Sequence, residues 1–151
     1  DQEDVDMKLG GTSFAKMGCG AAATHNAIIL AGGSSSLANV VKFMQAHDLT
    51  LGFAGVYFTN IQLYLKRKGY SNKIYLTKLK NNIDEKIKGC KRNIAILAYK
   101  HSSGGHYVAI KYKKSDKKFH FYNGNGNKAE QSVDTWFKNN KTRSPLCLIT
   151  I

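Results

Sequence analysis

The chain has 151 residues, enough for one domain with a real core. An apolar fraction of 42%, with eight Tyr and seven Phe, excludes a disordered chain, and no run nears the roughly eighteen apolar residues of a membrane-spanning helix. Three cysteines exclude a disulfide framework, and a formal charge of +13 makes anions the natural partners.

The acidic opening Asp1-Gln2-Glu3-Asp4-Val5-Asp6 lacks the basic and apolar regions of a signal peptide. We expect residues 1–10 to form a flexible segment, and the chain to be either excised from a longer protein or freed of a leader. The first half reads helical. CGAAATHNAIIL, from Cys19 to Leu30, begins after Gly18 and stops at Gly32-Gly33. Ser36 can cap a helix from Leu37 to His47, with Leu37, Val40, Val41 and Met44 on one face. After a glycine-containing loop, Thr59 or Asn60 can cap a helix through Lys68, with Ile61, Tyr64 and Leu65 inward and Gly69 as its stop.

The second half reads as strands. Lys73 to Leu76 is a weak one, and Asn82 to Lys88 a short helix with Ile83 and Ile87 four apart. Asn93 to Tyr99 is an unbroken apolar run, which suits a buried central strand. His106 to Tyr112 follows a Ser-Ser-Gly-Gly turn, and Lys118 to Asn123 follows Lys114-Ser115-Asp116-Lys117, which together predict an antiparallel meander. Ser132 caps a helix from Val133 to Asn139, and Pro145 precedes a last strand from Leu146 to Ile151. Helices followed by strands predict one α+β domain over residues 1–151, its helical half packed on an antiparallel sheet with a groove between them.

Three short motifs carry chemistry. In Met17-Gly18-Cys19-Gly20-Ala21-Ala22-Ala23 a cysteine stands among small residues at a predicted helix start. Free N–H groups and the helix dipole there favour a thiolate, and the Cys19 N–H can bind an oxyanion. In Gly104-Gly105-His106-Tyr107-Val108-Ala109-Ile110 a histidine opens a strand, a rigid place for a general base at a sheet rim. In Phe121-Tyr122-Asn123 an Asn ends the next strand, where its carbonyl can fix the tautomer of His106. His25 is expected to point away from Cys19 and His101 to sit in a turn. Cys147, Trp136 and Phe137 read as core. Cys90, among Lys88, Lys91 and Arg92, is a second thiol in a positive field. No cofactor is implied, since no Cys/His pair has zinc spacing and no phosphate loop is present.

Taken in order, the three motifs resemble the bacteriocin-leader (double-glycine) peptidases and their relatives in the papain-like superfamily. The resemblance implies a papain-like fold with Cys19 as nucleophile, His106 as base and Asn123 as orienting residue, acting on a peptide or amide bond. The family's Gln before the cysteine is missing here. Ser13 stands at roughly that place and can donate a hydroxyl to the oxyanion hole, whereas Gln2 is too distant. The Pro that often follows Cys-Gly is Ala21. The same triad would serve a deamidase or an acyl transferase.

The lysines from Lys66 to Lys118 add an anionic partner to the expected peptide or protein substrate: an acidic protein, such as an immunity protein, or nucleic acid. Small size and charge suit a toxin or effector domain of a secreted bacterial protein acting in a reducing cytoplasm. The alternatives are a basic toxin domain that acts on RNA or DNA, and an inactive papain-like binding module.

Overall fold

In a computed structural model that describes residues 8–9, 12–47, 58–76, 82–102, 104–122 and 127–151, three helices come first. A short pair of strands, β1 (Lys8–Leu9) and β2 (Thr12–Ser13), leads into α1 (Phe14–Leu30), so the expected N-terminal segment carries at least this pairing. Helix α1 starts five residues before the expected Cys19. Phe14 to Met17 offer no β-branched residue to resist helix, and Gly18 and Gly20 are buried within it rather than standing at its start. Its other end stops where the glycines predict. Gly32 takes φ 83°, and the N–H groups of Gly32 and Gly33 reach back to the carbonyls of Ile29 and Ile28, both at 3.0 Å.

Helix α2 (Leu37–His47) has the predicted bounds, with Ser36 Oγ 3.4 Å from the Asn39 N–H. Helix α3 (Phe58–Arg67) begins at Phe58, ahead of both expected caps. Asn60 instead spends its side-chain amide on the His47 carbonyl, 2.7 Å away, and so ties α3 to the end of α2. Val40, Val41 and Met44 of α2 and Ile61, Tyr64 and Leu65 of α3 are buried, as their spacing requires.

Beyond Gly69 come β3 (Lys73–Tyr75), α4 (Ile83–Gly89), β4 (Ile94–His101), β5 (Gly104–Lys113), β6 (Lys118–Tyr122), β7 (Lys128–Glu130), α5 (Val133–Asn139) and β8 (Ser144–Thr150). The described sheet is antiparallel throughout, in the order β3-β8-β4-β5-β6-β7. The expected meander is therefore β4-β5-β6. Strand β7 was not foreseen, and Pro145 lies inside β8 rather than before it. Proline has no N–H to give the ladder, and the β4–β8 register slips between Ala98 and Tyr99, opposite it.

The fold is mixed α+β, as predicted, but helices cover both faces of the sheet. Ile94, Ile96, Ala98, Tyr107, Ala109, Cys147 and Ile149 pack on one side with Ala27 and Ile28 of α1 and the inner faces of α2 and α3. Ala95, Leu97, Val108, Ile110, Phe119, Phe121 and Leu148 pack on the other with Ile83 and Ile87 of α4 and Val133 and Trp136 of α5. Strand alternation makes this division: neighbours along β4 and β5 serve opposite cores. The second helical layer is small, and its two helices cap each other. The Asp134 carboxylate accepts the N–H groups of Ile83 (3.1 Å) and Asp84 (3.2 Å), and the Asp84 carboxylate accepts those of Val133 (2.7 Å) and Asp134 (3.3 Å). Ser132, the predicted cap of α5, accepts from Thr135 N at 3.0 Å and donates its hydroxyl to Asp84.

Candidate active site

Cys19 is the sixth residue of α1 and not its first. The thiol has therefore lost the position expected for it beside free N–H groups, because only the first four N–H groups of a helix lack an intrahelical acceptor. The same count takes the Cys19 N–H out of the group free to bind an oxyanion. The residue is 9% exposed, in the core that α1 shares with β4 and β5. Burial pushes its thiol up from the ordinary value of 9.0, while three N–H groups oppose that shift: those of Tyr107, of Gly20 and of Cys19 itself.

The Tyr107 contact locates the sulfur. It lies at the peptide N–H immediately after His106, on β5. In this stretch β5 has β4 on one side, and among the described residues the pairing with β6 reaches as far as Ala109 opposite Tyr122.

His106 is the third residue of β5, because the β4–β5 pairing runs as far as His101 opposite Gly104 and both glycines belong to the strand. Its cross-strand partner is Tyr99, and the two rings meet edge to face with centroids 5.4 Å apart. The imidazole therefore lies on the α5 face of the sheet, whereas Cys19 and Tyr107 pack on the α1 face. The cysteine meets the histidine's own main chain at the strand, and their side chains approach from opposite faces. Burial lowers the His106 pKa from 6.5, and His101 and Arg143 lower it further. Both shifts favour the uncharged forms at neutral pH, thiol and imidazole.

His101 is not in a turn but is the last residue of β4, opposite Gly104. It shares the face of Tyr99 and His106, its ring 6.1 Å from that of Tyr99. Tyr99 and Arg143 were not singled out from the sequence. Tyr99 bridges His106 to Trp136, with ring centroids 5.5 Å apart, and the Arg143 guanidinium lies 4.9 Å from the Trp136 ring and 6.0 Å from that of Tyr99. Burial raises the Tyr99 hydroxyl, Arg143 opposes this, and the nearby Cys19 adds to it. Counting back from a two-residue turn would have placed Tyr99 opposite His106. Arg143 carries no such signal.

Asn123 lies outside the described residues. Residue Tyr122, just before it, is tied to α1 by the Asn26 side-chain amide, 3.5 Å from the Tyr122 carbonyl. Ser13 is in β2, one residue before α1. His25 faces Ser35, with Nδ1 3.0 Å from its hydroxyl. Cys147 is buried in the core beside Tyr107, its thiol pushed up to about 12. Cys90 is half-buried at the end of α4, and its thiol donates to the carbonyls of Ile87 (3.1 Å) and Ile94 (3.5 Å). No protein-family model matches the chain, and no curated protein matches it at a significant level.

Proposed function

We propose that the protein is a papain-like thiol hydrolase or acyl-transfer enzyme that uses Cys19 and His106 on a peptide or amide bond. One observation carries this reading: the Cys19 sulfur lies at the N–H of Tyr107, the peptide unit that follows His106. Nucleophile and base thus share one end of one strand, although 87 residues separate them (106 minus 19). The two side chains rest on opposite faces of β5, so the reaction requires the imidazole to swing past the strand end to the thiol, whose proton then passes to it as sulfur attacks the carbonyl carbon. The imidazolium then protonates the leaving amine, and water or another acceptor releases the acyl group from sulfur. Asn123 is the proposed orienting residue, and Ser13 the proposed hydroxyl donor to the oxyanion.

The test needs no known substrate. Alkylation of Cys19 by iodoacetamide, followed by mass spectrometry of the Cys19 peptide, reads the coupling directly. His106→Ala should slow it by about tenfold or more at neutral pH, in line with loss of a general base. An unchanged rate would remove His106 from the reading.

A second reading is an inactive module that keeps the fold. It is favoured by the burial of Cys19 and the upward push on its thiol. On that reading half-buried Cys90 is alkylated faster than Cys19 in the wild-type protein, and His106→Ala alters neither rate.

A further inference from the structure

At the opposite end of the sheet, a cleft of about 700 Å³ opens between α4 and the β3–β8 edge. Four cations line it: Lys73 on β3, Lys86 on α4, and Lys91 and Arg92 on the turn into β4, against one acidic side chain, Glu85. Among the described residues none of the four is ion-paired with a carboxylate. The cleft is far along the strands from the cysteine. It borders Thr150 and the start of β4, whereas His106 faces Tyr99 near the other end of β4.

We propose that this cleft docks an acidic polypeptide segment in extended form, beside β3. Three observations select that occupant. First, β3 is an edge strand of the described sheet, paired with β8 alone, so one side of its main chain can receive a further strand. Second, Lys73 on that edge repels a second copy of so basic a chain and attracts a strand of opposite charge. Third, the aromatic rings in and beside the cleft, Tyr75 in its lining and Tyr70 next to it in the chain, already carry cations. The Lys73 and Lys86 ammonium groups lie 5.1 and 5.2 Å from the Tyr75 ring centre, and the Arg92 guanidinium lies 5.0 Å from that of Tyr70. Bases of a single-stranded nucleic acid need such faces for stacking and find them occupied. Carboxylate side chains need only the cations.

The experiment titrates the full chain into a fluorescein-labelled peptide of alternating Glu and Val, and into a single-stranded DNA of matched charge, with anisotropy as the readout. The peptide should bind, and the double charge reversal Lys73→Glu with Lys91→Glu should weaken it by about tenfold or more. Methylating alternate backbone nitrogens of the peptide should also weaken it, since that removes ladder donors at unchanged charge. Cys19→Ala should leave binding intact, so failure of docking and failure of the thiol chemistry are separate results. The proposal is overturned by tighter binding of the DNA, by absence of peptide binding, or by charge reversal without effect in a variant whose circular dichroism matches wild type.

Discussion

At the residue scale the resting charge state of Cys19 and His106 governs what can be measured. The thiol is held up by burial and the imidazole is held down by burial, so both shifts work against a thiolate–imidazolium ion pair. The Cys19 alkylation rate should therefore keep climbing with pH past the ordinary thiol value of 9.0, with no plateau in the acid range. A plateau below neutrality would show a preformed ion pair. The histidines also make stability depend on pH. His106 and His25 are both held below 6.5, so the unfolded chain takes up protons before the folded one as pH falls. Their contribution is complete above 6.5 and is lost as pH drops through their folded values. Urea midpoints should fall between about pH 7.5 and about pH 5, and His106→Gln should flatten part of that fall.

At the element scale the reciprocal caps of α4 and α5 hold the outer layer together. Asp84→Ala would strip the acceptor from two N–H groups and the Ser132 hydroxyl at once. We expect a loss of about 2–3 kcal/mol in urea unfolding, against about 1 kcal/mol for Ser132→Ala. Equal losses would mean that the carboxylate acts only through Ser132. This clamp marks where the sequence stops being legible. Ser132 as a cap could be read locally, because its bond to Thr135 spans three residues. The Asp84 bond to Val133 spans 49 and has no local signature. Helix faces set by Val40, Val41 and Met44, or by Ile83 and Ile87, could be read for the same reason: period and burial agree. The start of α1 could not, because buried Gly18 and Gly20 have the composition of a helix boundary. In the site, the sequence singled out Cys19 and His106, but the sheet face of each depends on a register that the Ser-Ser-Gly-Gly stretch leaves ambiguous. Once His101 pairs with Gly104, His106 goes to the α5 face and Tyr99 becomes its neighbour.

At the scale of the whole molecule, the sheet is the wall shared by two cores. Leu97 and Ile96 are adjacent on β4 yet buried on opposite sides. Leu97→Ala should cost about 2–5 kcal/mol and should destabilise both layers together. Trp136 fluorescence reports the α5 side and far-ultraviolet circular dichroism weighs α1 to α3, so the two unfolding curves should coincide. Separated curves would mean that the two layers melt independently. The strand order has a further consequence, for the timing of folding. Strands β4, β5 and β6 are consecutive hairpins and can pair as soon as they leave the ribosome. Among the described residues β3 pairs only with β8, which is made about 70 residues later, a long loop to close before any contact rewards it. Until β8 slots in between β3 and β4, the apolar run of β4 has an unpaired flank. During synthesis the nascent chain therefore presents its most aggregation-prone strand edge, and a chaperone that binds extended apolar segments would find its target there.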